Sequence, residues 1–235
     1  MRKAHLTAVL ALLVASLASA APLTVNIQLT TPFTKYYVYT ASGLLAQGNI
    51  VSNKFSFDYN SAQSYLVKAV GNGTVLVFTV PSGLTATTFN VTTVATIKFN
   101  ITFLGKWPLA PKAVQAQVAP QGAPCNATVT TSDLVDVVPP ATVKLQEEVF
   151  FPSLFGYRLS TIYINGAIGT NPFNVTNYVT YTVKAEYEPV GIAAIDPIIV
   201  AVAVGAVVIL AVALSAKRGA AAAATLEAYS SPYLE

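Results

Sequence analysis

SYLVKAVGNGTVLVFTV, residues 64–80, is where the fold of this chain can be read. Two runs rich in β-branched and aromatic residues flank Gly71-Asn72-Gly73. Asn-Gly accepts the positive φ angles of a type I′ turn, so the stretch reads as a β-hairpin. Val75, Leu76, Val77 and Phe78 make the second run apolar on both faces. A strand of that kind belongs in the middle of a sheet, covered on both sides. Pro81-Ser82-Gly83 closes it.

Upstream, Leu23, Val25, Ile27 and Leu29 alternate with Thr24, Asn26, Gln28 and Thr30, the period of a half-buried strand. Residues 35–40 are rich in Tyr and Val and are broken by Ser42-Gly43. Phe55, Phe57 and Tyr59 alternate with Lys54, Ser56 and Asp58. Downstream, Ile97, Phe99, Ile101 and Phe103 alternate with Lys98, Asn100 and Thr102. Prolines then cluster at 108, 111, 120, 124, 139 and 140. Proline cannot donate to a ladder, so this stretch is expected to hold loops and edge strands. Strand-like runs resume at 141–150, 157–164 and 178–187, with a second turn at Asn165-Gly166.

No soluble run has helical spacing, so the fold class is an all-β ectodomain of one or two antiparallel β-sandwiches. Phe89-Asn90-Val91-Thr92 recurs as Phe173-Asn174-Val175-Thr176, which suggests two related sandwiches at 21–105 and 106–190. One continuous sandwich is the alternative. Tyr37 to Gly48, then Phe55-Ser56-Phe57, then Tyr65-Leu66-Val67-Lys68-Ala69 resemble the transthyretin-type modules of carboxypeptidase regulatory domains. That resemblance covers about a quarter of the chain and implies fold, not chemistry.

The two ends set the location. Residues 198–216, IIVAVAVGAVVILAVALSA, carry no charge and are long enough for one C-terminal transmembrane α-helix. Asp196-Pro197 marks its start and Lys217-Arg218 its end, with a juxtamembrane and helical segment over 191–216 and a short tail over 217–235. Arg2-Lys3, an apolar run and Ala18-Ser19-Ala20 form a signal peptide over 1–20. An uncleaved anchor is the rival; a pilin-type leader fits less well, because strand-like alternation follows it. Leader, span and positive-inside charge place the N-terminal domain outside and the tail in the cytoplasm.

Composition excludes several chemistries. The single histidine, His5, lies in the leader, so the mature chain has no imidazole for a triad or a metal. Cys125 is the one cysteine, so disulfide pairing within the chain is impossible, and pairing between chains is the alternative to a free thiol. Residues 21–196 hold nine Lys/Arg against eight Asp/Glu, so no basic face points to nucleic acid. No cofactor is expected. Asp133/Asp136 are candidate Ca²⁺ ligands in a loop-like region, and Glu147/Glu148 and Glu186/Glu188 are candidate glycosidase pairs; solvated faces account for the glutamates better.

The strongest motif set is five glycosylation sequons, all with Thr, at Asn72, Asn90, Asn100, Asn126 and Asn174. Glycans there would shield edges. Two apolar features are candidate interfaces: Phe150, Phe151, Leu154, Phe155 and Tyr157, and the small-xxx-small pair Ala201 and Gly205, which permits helix–helix contact and a homo-oligomer. Scarce cysteine, abundant Val, Ala, Thr and Tyr and the Thr sequons make the chain similar in style to archaeal cell-surface glycoproteins. The expected function is that of a single-pass type I surface glycoprotein with a structural, adhesive or envelope-scaffolding role and a protein partner in the envelope. The alternatives are an accessory subunit of a membrane transport or respiratory complex, and a carbohydrate- or solute-binding module. No catalytic residue is assigned.

Overall fold

A computed structural model describes residues 20–105, 107, 110–150 and 155–230 of the chain, with side chains as far as 217. The leader over 1–19, Phe151, Leu154 and the end of the tail lie outside the described residues. From the N-terminus the strands are Ala21–Ile27 (β1), Phe33–Thr40 (β2), Gly43–Asn49 (β3), Lys54–Tyr59 (β4), Tyr65–Gly71 (β5) and Thr74–Val80 (β6). Thr88–Val91 (β7), Ala95–Phe103 (β8), Gln115–Pro120 (β9), Ala127–Thr130 (β10), Leu134–Val137 (β11) and Ala141–Leu145 (β12) follow. Glu148–Phe150 (β13), Phe155–Ile164 (β14), Ala167–Ile168 (β15), Phe173–Val175 (β16) and Thr180–Gly191 (β17) complete the body. A 3₁₀ turn, Ile192–Ala194, leads to helix Pro197–Ser230 (α1). The chain is thus an all-β body with a single C-terminal apolar helix.

Among the described residues the strands form three sheets. The largest has ten strands in the order β13-β14-β17-β8-β11-β6-β5-β2-β3, with β15 also paired to β14. A three-stranded sheet, β4-β1-β7, and a four-stranded sheet, β10-β9-β12-β16, complete the body. Side chains alternate between faces along a strand, so one strand can serve two cores. β6 does this: Val75 and Val77 join one core with Val118, Val129 and Val143, while Leu76, Phe78 and Val80 join the other with Leu23, Val25 and Phe57. Both cores therefore rest on opposite faces of the central sheet, and the doubly apolar run read in the sequence is their shared wall.

The proline-rich stretch corrects the sequence reading. β9 sits between β10 and β12, and β11 lies inside the large sheet between β6 and β8. Neither is an edge strand, whereas β10, in the same stretch, is one, as expected. The prolines fall at strand ends and beyond them: Pro120 ends β9, and Pro139-Pro140 follow β11. Between Pro124 and Pro139 no proline interrupts the ladder, which is all that four-residue strands need.

The turns also differ from expectation. At Asn72-Gly73 only Gly73 has positive φ, 68°, so the hairpin is not type I′. Asn165 and Gly166, at φ 52° and 85°, make the I′-like turn instead, between β14 and β15. Ser52 and Asn53 make another, unread in the sequence because neither is glycine. The Phe-Asn-Val of each repeated string lies in β7 or β16, edge strands of the two smaller sheets, with the Thr just beyond. The strands that follow them, β8 and β17, run side by side in parallel with Thr96 opposite Thr180 and Phe103 opposite Tyr187. The offset between the strings is also the register of that pair.

Candidate functional site

The junction between body and helix is the best-defined polar and aromatic site. β17 ends at Gly191, and α1 begins at Pro197, so the end of the large sheet lies within six residues of the helix. Trp107 stacks edge-on against Phe155 at 4.7 Å, and its indole N–H donates to the carbonyl of Ile195 at 3.1 Å. Phe103 meets Tyr157 and Tyr187 at 5.0 and 5.1 Å. Tyr187 is buried and its hydroxyl donates to the carbonyl of Gln146 at 2.7 Å. Burial pushes its phenol well above the usual range, so it stays neutral.

Helix α1 is capped where the sequence marks it. Asp196 Oδ1 accepts the N–H of Ile198 at 2.9 Å, and Pro197 occupies the first helical position, where a missing N–H costs nothing. Pro197–Lys217 is 21 residues long, and its most apolar 18-residue window has mean hydropathy 3.0 with none of it buried against the body. Ile198 and Ile209 are each 71% exposed. Ser215 satisfies its hydroxyl internally, donating to Ala211 O at 2.8 Å. Apolar length, full exposure and internal hydrogen bonding are what a bilayer-spanning helix needs.

The candidate interface residues separate in space. Tyr157 is buried core and Phe155 is half-buried against Trp107, whereas Phe150 is 56% exposed. Phe150 covers Gly156, where a Cβ would approach its ring to 2.6 Å. Ala201 is exposed on α1, and a Cβ at Gly205 would meet nothing within 4 Å. Sequence reasoning missed Trp107 and Ile195 as a pair; their separation in the chain leaves no periodic signal.

All five sequon asparagines are exposed. Asn72 is at the β5–β6 hairpin tip and Asn100 on the outward face of β8. Asn90 lies in β7, where its Oδ1 accepts from Asn26 Nδ2 at 3.0 Å. Asn174 lies in β16 and accepts from Thr142 Oγ1 at 2.9 Å. Asn126 directly precedes β10.

The carboxylates hold structural posts. Asp136, expected in a loop, is buried in β11 and accepts from Thr96 Oγ1 at 2.7 Å. Burial raises its pKa, and the Thr96 bond opposes that shift. Asp133 sits in the turn before β11. Among the described residues no group of three His, Cys, Asp or Glu side chains could hold a metal. Glu147 and Glu148 line an open cleft of about 680 Å³ with Arg158, Ser160, Ile168 and Asn171. Each is ion-paired at the surface, Glu147 with Lys144 at 3.1 Å and Glu148 with Arg158 at 2.8 Å. Glu186 pairs with Lys184 at 2.7 Å, and Glu188 accepts from Ser160 at 2.9 Å. Cys125 is a partly buried free thiol whose pKa burial raises, which disfavours the reactive thiolate.

No protein-family model and no curated protein matches the chain. Among solved structures, it is similar to the Bacillus anthracis TIE protein at 12% identity, covering 71% of this chain and 33% of that one, with a TM-score of 0.22. The pilus adhesin SpaC of Lactobacillus rhamnosus GG gives 16%, 73% and 29%, with a TM-score of 0.24. The major pilin T3.2 of Streptococcus pyogenes gives 10%, 72% and 98%, with a TM-score of 0.27. The chain spans a third or less of the first two. These overlaps carry no argument about its activity or partners.

Proposed function

We propose that the chain is a membrane-anchored extracellular glycoprotein with a structural, adhesive or envelope-scaffolding role. The observation that carries this is the exposed apolar helix α1, capped by Asp196 and tied to an all-β body through Trp107 and Ile195. Such a helix belongs in lipid, and the five exposed sequon asparagines suit a body outside the cell. The cytoplasmic tail, the cleaved leader and the similarity in style to archaeal envelope proteins belong to this reading, as does the transthyretin-type likeness of β2, β3, β4 and β5. The body presents surface for contact and performs no catalytic step.

The reading is tested on intact cells carrying the chain with a C-terminal epitope. Added protease should remove the body and leave a fragment that retains α1 and the tail. Mass spectrometry of the released peptides should find glycans on the sequon asparagines. A body that resists protease until the cells are lysed would place it inside and sink the reading.

Exposed Phe150 and Ile195 beside the helix mouth favour a second reading, the accessory subunit of a larger membrane complex. Their exposure leaves both side chains open to cover by a neighbouring subunit. Purification in mild detergent separates the two: a stoichiometric polytopic partner supports the second.

A further inference from the structure

An unpaired strand edge presents free N–H and C=O groups to any strand that can add to it, and proteins usually block such edges. The described edges of this body are blocked in different ways. β4 carries Lys54 and Asp58, and the Tyr36 hydroxyl donates to its Ser56 carbonyl at 3.2 Å. β10 has Lys68 Nζ on its Thr128 carbonyl at 2.7 Å and the sequon Asn126 at its start. β7 and β16 each carry a sequon asparagine at their centre, Asn90 and Asn174. β13 holds the Glu148–Arg158 ion pair, and β15 is only two residues long.

β3 is different. Gly43-Leu44-Leu45-Ala46-Gln47-Gly48-Asn49 has seven residues, no charge and no sequon, and pairs on one side only, with β2. Ile50 N–H donates to Thr34 O at 2.8 Å, and the register sets Tyr36 opposite Gly48 and Lys35 opposite Asn49. Bonded and non-bonded pairs alternate along an antiparallel ladder, so the even-numbered residues Ala46, Gly48 and Ile50 bond to β2. Gln47 and Asn49 therefore turn their N–H and C=O groups to the open side. Both side chains are exposed, on the face opposite Tyr36, whose ring lies where a Gly48 Cβ would be. Among the described residues no side chain caps either one.

We infer that the open edge of β3 is completed by β3 of a second copy of this chain, paired antiparallel about a two-fold axis at Gly48. The edge is self-complementary in the way a two-fold requires. Gln47 faces Asn49 of the second copy, and Asn49 faces its Gln47, so each pair exchanges two backbone bonds. The two carboxamides on the same face carry donors and acceptors that match each other. A two-fold sets like charges close together wherever a strand is charged, and β3 has none. A seven-residue ladder is a small interface, but confinement of both copies to one membrane raises their effective concentration. The role of the sequons as edge blocks and the confinement to one membrane rest on the membrane-glycoprotein reading above; the chemistry of β3 does not.

The test uses the full chain in detergent micelles and bilayer nanodiscs, in a Cys125→Ser background. Chains carrying Gln47→Cys and chains carrying Asn49→Cys, differently tagged, should form a mixed disulfide dimer on mild oxidation in preference to either alone. Gln47→Lys/Asn49→Lys puts ammonium groups opposite each other and should cut the dimer seen by native mass spectrometry by about tenfold or more. Circular dichroism should be unchanged, since both positions are exposed; if the double variant misfolds, Asn49→Lys alone serves. The inference is overturned by a monomeric wild type, by a dimer that survives both lysines, or by one lost on Gly205→Leu instead, which would assign it to the helix. It is equally overturned if the edge is instead taken by an extended segment of another protein. None of these outcomes depends on topology or glycan occupancy, so failure here leaves the proposed function standing.

Discussion

The indole N–H of Trp107 donates to the carbonyl oxygen of Ile195 at 3.1 Å, across a sequence separation of 88 residues. That bond ties the loop after β8 to the last residue before the helix cap. It limits how freely the body can swing on helix α1. Trp107→Phe keeps the edge contact with Phe155 and removes only the donor, leaving the Ile195 carbonyl to find water. A loss of about 1 kcal/mol is expected, with faster hydrogen exchange over residues 191–197 in nanodiscs. Because Trp107 is the single tryptophan, its emission in the wild type also reports this junction directly. Unchanged exchange would mean that the linker is held by other contacts.

Gly71 and Gly73 flank one asparagine but are glycines for different reasons. A Cβ at Gly71 would meet the Pro32 carbonyl oxygen at 2.5 Å, a backbone atom that cannot turn aside. Gly73 has open space but positive φ, 68°. Gly71→Ala is expected to cost about 1–3 kcal/mol by displacing the start of β2. Gly73→Ala should cost about 1 kcal/mol through backbone strain alone. Denaturant melts of the two variants check the order; equal effects would refute the backbone clash.

Leu76 and Val77 are neighbours in β6 that face different cores. Leu76→Ala should cost about 2–5 kcal/mol, and Val77→Ala about 2 kcal/mol. Since one strand carries both cores, each variant should lower the same cooperative transition, followed by circular dichroism. Two resolved transitions, each moved by only one variant, would show that the cores melt independently.

Asp136 supplies a pH dependence whose sign follows from burial. Its folded pKa is raised above the ordinary carboxylate value, so the folded state holds the proton to higher pH than the unfolded chain does. Stability from this group is then fully present below the unfolded pKa and declines as pH rises through the folded one. Asp136→Asn keeps an oxygen for the Thr96 hydroxyl and cannot ionise. It should raise the melting temperature at pH 7 and give no gain near pH 3.5. A variant less stable at both pH values would mean that the carboxylate is favoured in place.

Local rules carried much of this architecture, because alternation at Leu23–Ile27, Lys54–Tyr59 and Ile97–Phe103 depends only on which face is wet. The helix start at Asp196-Pro197 and the exposed positions of Asn72 and Asn100 were legible from equally local signals. β11 was not, since four residues between prolines carry too little periodic signal to announce an interior strand. The unblocked edge of β3 was also hidden: Gln47 and Asn49 look like loop polarity until the ladder shows which way their backbone groups point.

The sequence by itself determined that this protein is a β-sheet body with an apolar C-terminal span, because period and length are properties of contiguous residues. Only the tertiary structure decided which strands share a sheet, that β6 serves two cores, and that Trp107 meets Ile195. Those are long-range pairings selected by shape and burial, and nothing within a short window of residues encodes them.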